Sequence, residues 1–161
     1  MRHWNTRSPE VAYLLNPAFC SRVIYGVVFS YQKEAKRKFP FVLTYLILPI
    51  LLHRYTRDRI NTRSHMQVWI QRNPEVLIDF SRRAKSLISV TNEAIEFLLN
   101  SRIIAVEAAE LELLVLLKTS KQKVISDEEV LNCFAKAEAL GKWFARAGAA
   151  ENIYTSWGVR P

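Results

Sequence analysis

The side chains that most often perform chemistry are few in this chain, and their spacing matches no known catalytic or metal-binding pattern. Histidine occurs three times and cysteine twice, at His3, His53, His65, Cys20 and Cys133. None of them stand at the short intervals of a zinc site, and neither Cys-x-x-Cys nor His-Glu-x-x-His occurs. A glycine-rich phosphate loop and a Gly-x-Ser-x-Gly nucleophile elbow are also missing from the sequence. The residues therefore predict no enzyme, no cofactor and no metal site.

A run of three acidic residues, Asp127, Glu128 and Glu129, has a structural explanation. Ser126 stands three positions before Glu129, which is the spacing of a helix capping box. Negative charge is also favoured at a helix N-terminus, where the backbone N–H groups are unpaired. We expect this run to begin a helix and not to form an acid/base pair.

Size and composition predict one packed domain over residues 1–161. Half of the 161 residues are hydrophobic and only ten are Gly or Pro, so a disordered chain is excluded. Both cysteines lie in apolar helical contexts typical of buried reduced thiols, which favours a cytoplasmic protein. The uncharged stretch from Phe39 to Leu52 is shorter than the roughly 20 residues of a membrane span, and Met1 to Asn16 lacks the pattern of a secretory signal. We therefore expect no membrane association.

Positive charge is concentrated in the first part of the chain. Residues 1–90 contain 15 Lys or Arg against 5 Asp or Glu, whereas residues 91–161 contain 8 against 10. This asymmetry permits contact with the DNA backbone, and it is equally compatible with a solvated basic face or an acidic partner surface. The candidate DNA contacts are Arg54, Arg57, Arg59, Arg63, Arg82 and Arg83.

Capping signals and apolar periodicity predict a mainly α-helical domain with a small β component. Asn16-Pro17 indicates a helix over 17–38, and a second helix over 41–53 should be kinked at Pro49. Because this second helix would be apolar on every face, the domain or another chain must cover it on all sides. A long helix over about 127–147 should follow the capping box and end at Gly148.

The segment from about 62 to 118 resembles a winged helix in its order of elements. It comprises a short helix capped by Thr62 or Ser64, a helix over 74–88 and a helix capped by Thr91 that ends near Ser101. Two strands, Ile103–Glu107 and Glu110–Leu117, should form a hairpin after these helices. A tail strand over 153–157 could complete a three-stranded wing. The predicted fold is therefore a single winged-helix-like domain.

Two features of the last long helix suggest contacts with other chains. Gly141 lies in the middle of the helix, where glycine costs about 1 kcal/mol relative to alanine unless another chain segment approaches closely. Trp143 lies near Lys136 and Arg146 at the margin of the polar face. Aromatic and arginine side chains are common interface anchors, and a boundary tryptophan folded over its own domain is equally common. Together with the apolar stretch near Phe41, these features predict an obligate subunit.

Four segments of the sequence resemble the middle component of three-component ABC-ATPase systems. They are Tyr13-Leu14-Leu15-Asn16-Pro17-Ala18-Phe19, Leu46-Ile47-Leu48-Pro49 with Leu52-His53-Arg54 and Thr56-Arg57, Ala137-Glu138-Ala139-Leu140-Gly141-Lys142-Trp143-Phe144-Ala145, and Gly158-Val159-Arg160-Pro161. The named relative that the chain most resembles is the small middle subunit of Lamassu-type antiphage defence, although sister systems share the resemblance. One departure is Lys142, where arginine would be expected as often.

This resemblance implies a noncatalytic adaptor that bridges a Rad50/SMC-like ABC ATPase and an effector, usually a nuclease, which stays inactive until foreign DNA is sensed. The matching segments contain the residues that we expect to contact partners. These are Asn16, Pro17, Phe19, Gly141, Lys142, Trp143, Phe144, Gly158, Arg160 and Pro161. The alternative function is that of an autonomous winged-helix DNA-binding protein.

Overall fold

The computed structural model describes residues 15–118 and 127–161, which form a mainly helical domain with one small antiparallel sheet. The helices are α1 Pro17–Ala35, α2 Thr44–Leu51, α3 Arg54–Arg59, α4 Met66–Arg72, α5 Phe80–Ser86, α6 Ile88–Asn100, α7 Glu128–Arg146 and α8 Ala150–Ser156. The strands are β1 Phe39–Pro40, β2 Ile104–Glu107 and β3 Glu112–Val115, and short 3-10 turns cover Phe41–Leu43 and Pro74–Leu77.

The two longest helices, α1 and α7, pack side by side and run in the same direction. Phe19 meets Phe134 near their N-terminal ends, with ring centroids 5.9 Å apart. Near their C-terminal ends, the Glu34 carboxylate pairs with the Arg146 guanidinium at 2.8 Å. Because contacting residues advance together along both helices, the pair is parallel, and the chain between them must cross back over the domain. This pair forms the centre of the core.

Close approach of α1 and α7 depends on Gly141. A Cβ atom at this position would lie 2.5 Å from the carbonyl oxygen of Val27 and 2.8 Å from the Cβ of Ser30. The Ser30 hydroxyl donates a hydrogen bond to the Glu138 carbonyl oxygen at 2.7 Å, which joins the same two helices. The predicted close approach at Gly141 is therefore confirmed, and the neighbour is α1 of the same chain.

Helix α2 is covered by its own domain. Of its eight residues only Tyr45 is partly exposed, and the others are buried against the surrounding helices. Of the two alternatives for this apolar segment, coverage by its own domain is confirmed, because the surrounding elements of this chain bury it. Pro49 lies inside α2, which ends two residues later at Leu51.

The predicted hairpin is confirmed, but the sheet around it differs from the expected wing. Strands β2 and β3 pair antiparallel with Val106 opposite Leu113, and β1 pairs with the other edge of β3, placing Phe39 opposite Leu113. The third strand thus comes from residues before the 62–118 segment and not from the tail. The winged-helix assignment is not confirmed, whereas a helical domain with a three-stranded antiparallel sheet is.

The tail strand predicted over 153–157 is wrong, because these residues lie in and directly after helix α8. Ile153, Tyr154 and Trp157 are all buried. Their spacing of one and four residues places them on one side of a helix. An alternating strand would have directed Ile153 and Tyr154 to opposite faces.

The first two predicted helices end or begin elsewhere than expected. Helix α1 stops at Ala35 and not at Lys38, because Lys36 adopts a left-handed conformation with φ 55° and Phe39 is recruited into the sheet. The predicted 41–53 helix is a 3-10 turn followed by α2, and His53 is extended.

The helix expected over 74–88 is divided by Asp79. This residue has a left-handed backbone with φ 56°, so α5 begins only at Phe80. The following helix α6 begins at Ile88, which places Thr91 inside it and fully buried, not at its cap. Helix α4 starts after His65, and neither Thr62 nor Ser64 caps it.

Asp127, not the predicted capping box, caps helix α7. Its carboxylate accepts hydrogen bonds from the backbone N–H groups of Glu129 and Val130, at 2.8 and 3.2 Å. Ser126, the other half of the predicted box, lies outside the described residues. Gly148 follows the helix with φ 91°, consistent with its predicted role at the C-terminal end.

No helix among residues 15–118 and 127–161 is both long and apolar enough to cross a membrane.

Candidate partner-binding groove

Three residues of α7 predicted to contact partners are buried inside the domain. Gly141 and Phe144 face the core, and Trp143 is 1% exposed. The Trp143 indole N–H donates to the Ser64 carbonyl oxygen at 3.0 Å, and its ring centroid lies 5.0 Å from that of Trp69. These side chains hold the domain together and present no surface for direct contact, whereas Lys142 between them is exposed.

The predicted partner residues at the start of α1 have structural roles in the domain. The Asn16 side-chain oxygen accepts a hydrogen bond from the Ala18 backbone N–H at 2.8 Å, and Pro17 occupies the first helical position. Phe19 is half-buried against Phe134. Tyr13 and Leu14, which belong to the same matched segment, lie outside the described residues.

The C-terminal tail lines an open groove of about 470 Å³ on the surface, within the usual size range of binding pockets. Gly158, with φ 68°, ends α8 in a left-handed turn, and the Val159 N–H donates to the Tyr154 carbonyl oxygen at 3.1 Å. The complete lining is Tyr45, Leu46, Ser81, Ala84, Lys85, Ile88, Tyr154, Gly158, Val159, Arg160 and Pro161. We call this the tail groove.

The floor of the tail groove is apolar because the hydroxyl groups of its tyrosines are already bonded within the domain. The Tyr154 hydroxyl donates to the Val42 carbonyl oxygen at 2.5 Å, and the Tyr45 hydroxyl donates to the Asn92 side-chain oxygen at 2.8 Å. Burial raises the pKa of Tyr154 to about 12, so the phenol stays protonated and keeps its donor role. A ligand would therefore meet the tyrosine rings together with Ile88, which is 44% exposed.

The polar part of the tail groove is cationic. Lys85 and Arg160 are exposed, and the described residues provide neither with a hydrogen bond or an ion pair. No Asp or Glu is among the lining residues. Arg82, one turn of α5 away from Lys85, is by contrast paired with Asp79 at 3.0 Å. The tail groove therefore combines an apolar floor with two positive side chains that pair with no Asp or Glu of the described residues.

Of the six arginines predicted to contact DNA, the structure gives two a role inside the domain. Arg57 is 3% exposed and donates to the Leu51 carbonyl oxygen at 3.0 Å and the Glu129 carboxylate at 2.7 Å. Arg83 donates to the carbonyl oxygens of Ile78 and Val76, at 2.7 and 3.1 Å. Both guanidinium groups donate to carbonyl or carboxylate oxygens of this chain.

The other four predicted arginines remain at the surface. Arg59 lies over the Tyr55 ring, with its guanidinium carbon 3.5 Å from the centroid, and Arg63 is exposed. Arg54 and Arg82 have side chains that are 77% and 80% exposed, although each is near an acidic residue of its own helix region. These four arginines are available for a phosphate backbone, but the structure joins them to no shared cleft.

Neither cysteine is suited to nucleophilic chemistry. Burial raises the pKa of the Cys20 thiol to about 12 and also raises the pKa of Cys133, so both remain protonated. Among residues 15–118 and 127–161, no group of three His, Cys, Asp or Glu side chains could hold a metal ion. The described part of the chain therefore contains no centre that resembles a metal or thiolate active site.

Sequence reasoning identified the tail residues of the groove but missed those on the opposite walls. Tyr45, Ala84, Ile88 and Tyr154 come from four separate helices, so no local pattern joins them. Ile88, the first residue of the 13-residue helix α6, is 44% exposed, and no feature of the sequence signals this exposure.

The described residues form a small helical domain that carries an open, apolar and cationic cleft on its surface. A family model described as the ABC-three component (ABC-3C) system Middle Component 3 matches residues 4–161. The chain belongs to this family and is thus the middle component of a three-component ABC system. No curated protein and no solved structure matches the chain significantly.

Proposed function

We propose that this chain is a noncatalytic adaptor that connects the ABC ATPase and the effector of its three-component system. The observation that carries the proposal is the family match over residues 4–161, because a middle component is by definition one part of a larger system. The tail groove supports it by offering a surface where apolar area and unpaired charge coincide.

The proposal includes that this chain by itself catalyses no reaction. Its support is the state of the reactive side chains: both thiols are buried and protonated, and the His53 ring is engaged by the Thr56 hydroxyl at 2.8 Å. Burial and the nearby Arg83 lower the pKa of His53, which keeps the imidazole neutral near pH 7. A neutral imidazole with a hydroxyl partner could act as a base, but the Thr56 side chain is fully buried, and no group of metal-ligating side chains accompanies the pair in the described residues.

The finer assignment that we propose is a Lamassu-type defence system in the cytoplasm. In it a Rad50/SMC-like ATPase would sense foreign DNA, and this chain would help to hold a nuclease effector inactive until then. The sequence motifs described above favour this system, and the basic half of the chain favours placement beside DNA held by the complex.

The proposal is tested by co-expressing the chain with the products of its two neighbouring genes and measuring the mass of the purified assembly. We expect one complex that contains all three chains. We also expect the isolated chain to show no hydrolysis of ATP or DNA above a buffer control, whereas the complete complex hydrolyses ATP.

Two results would reject the adaptor function. One is recovery of the ATPase and effector as a stable complex that excludes this chain. The other is hydrolysis by the isolated chain that survives its repurification. Tight binding of the chain alone to duplex DNA, resistant to salt, would support the alternative of an autonomous DNA-binding protein.

A further inference from the structure

We infer that the tail groove binds an acidic and apolar segment of another component of the system, in which a large apolar side chain stands beside carboxylates. The inference rests on the proposed adaptor function and specifies the surface and the chemistry of its partner. Its basis is the coincidence of an apolar floor with Lys85 and Arg160 on the rim.

The floor selects for an apolar side chain. Most of the exposed apolar surface belongs to Ile88, and the partly exposed Tyr45, Ala84 and Val159 add to it. Tyr154 and Leu46 lie buried beneath this surface, and both tyrosine hydroxyls are used inside the domain. A polar ligand would find few free hydrogen-bonding groups here beyond the Ser81 hydroxyl and the two cations. Apolar area that is removed from water contributes roughly 25 cal/mol per Å². A leucine or aromatic side chain would therefore gain most from this surface.

The rim selects for negative charge next to that apolar side chain. Lys85 and Arg160 have no acidic partner among the described residues, and no carboxylate side chain lines the groove. A partner carboxylate at either position would complete an ion pair that the chain itself leaves unmade. Complementary charges at the margin of an apolar contact accelerate association and fix the orientation of the bound segment.

A protein segment fits these features better than a nucleic acid does. Duplex DNA presents phosphates to the rim cations, but it offers nothing that would fill an apolar floor below them. The exposed Ile88 and the partly exposed Tyr45, Ala84 and Val159 would remain in contact with water under a DNA backbone. A segment that combines an apolar side chain with carboxylates uses both parts of the groove.

The test uses the full chain in the reconstituted three-component complex with substitutions on the floor and rim. Ile88→Glu places a carboxylate on the floor at a position that is already 44% exposed, so the fold should tolerate it. The double variant K85E/R160E reverses the rim charge. The matched controls are Ile78→Glu, at an apolar position that is 66% exposed and outside the groove, and Lys33→Glu, at an exposed position on α1.

We expect the dissociation constant of the chain from its partner to rise about tenfold or more in Ile88→Glu and in K85E/R160E, and to change less than about threefold in both controls. For the wild-type chain the dissociation constant should rise with salt between about 50 and 300 mM, and this dependence should be weaker in K85E/R160E. Unchanged thermal unfolding of each variant shows that the domain is still folded. A variant that unfolds is replaced by Ile88→Gln or Lys85→Gln.

A photoreactive amino acid at position 88 identifies the occupant directly. The expected cross-link is to a segment of another component that contains a large apolar residue within a few positions of Asp or Glu. A cross-link to a second copy of this chain, to DNA, or to a segment without carboxylates would overturn the inference. If both groove variants bind the partner with wild-type affinity, the groove inference is overturned, but the adaptor function is not. Failure of the wild-type complex to form would reject the adaptor function itself and the groove inference with it.

Discussion

At the scale of single residues, glycine sets the distance between the two central helices. Gly141 allows α7 to approach the backbone of α1 so closely that an added methyl group would overlap the Val27 carbonyl oxygen. Gly26 on α1 is less constrained, since a Cβ there would lie 3.2 Å from the Cβ of Ala137 and contact no backbone atom. These two positions differ in what surrounds them, although both are glycines inside helices.

We predict that Gly141→Ala lowers the free energy of unfolding by about 1–3 kcal/mol, because the helices must separate to admit the methyl group. Gly26→Ala is the matched control and should change that free energy by less than about 1 kcal/mol, since the better helix propensity of alanine offsets a mild contact. Urea titration followed by circular dichroism measures both. Equal stability of the two variants would show that the approach at Gly141 is not tight.

At the scale of elements, Arg57 joins its own helix α3 to the preceding helix α2 and to α7, where its partner Glu129 is 72 residues away. It lies on α3, donates to the carbonyl oxygen of Leu51 at the end of α2, and pairs with Glu129 in the first turn of α7. The Arg57 side chain is 4% exposed and the Glu129 side chain is 55% exposed, so the cation depends on these oxygens more than the carboxylate depends on the cation. The arginine therefore fastens α3 against the start of α7.

We predict that Arg57→Met lowers the free energy of unfolding by about 2 kcal/mol, because it removes a charge-assisted hydrogen bond and leaves the Leu51 carbonyl oxygen without its donor. Arg54→Met, on the same helix but exposed, should change the free energy by no more than about 0.5 kcal/mol. Chemical denaturation of the two variants in parallel makes the comparison. If the two losses are the same, Arg57 does not perform the structural role described here.

At the scale of the whole molecule, the chain has a net charge of +8. Some of its arginines are bonded inside the domain, and others are exposed. Arg57 and Arg83 are committed to oxygens of the domain, whereas Arg54, Arg59, Arg63 and Arg82 reach the surface. Exposed cations attract any polyanion without regard to sequence, and that attraction weakens as salt is added. The charge of this chain by itself is thus an argument for weak DNA association and not for sequence recognition.

We predict that the isolated chain binds duplex DNA weakly at about 50 mM salt and loses this binding by about 200 mM. Replacing the four exposed arginines by glutamine should weaken the binding further without changing the melting temperature. Replacing Arg57 and Arg83 by glutamine should instead lower the melting temperature. Fluorescence anisotropy and thermal unfolding separate these effects, and binding that discriminates between DNA sequences would contradict the prediction.

The sequence predicted secondary structure best where a local signal, such as a helix cap or a run of β-branched residues, marked the element. Asn16-Pro17 located the start of α1, and the Ile, Val and Leu residues after Ser101 located the hairpin. The sequence predicted the wrong secondary structure where backbone conformation or packing against other elements outweighed the local pattern. Asp79 divides a helix that its apolar spacing favoured, and the tail residues Ile153, Tyr154 and Trp157 bury one side of a helix where a strand was expected.

The sequence alone determined that this is a helical domain with a hairpin, with a basic first half and without a recognisable catalytic motif, because capping, periodicity and composition are local properties of the chain. Only the tertiary structure decided which residues are free to meet a partner. Trp143 and Gly141, which suggested an interface, are buried against α1 and α4, whereas Lys85, Ile88 and Arg160 come together from distant segments. Exposure depends on how helices far apart in sequence pack together, and no spacing within one segment contains that information.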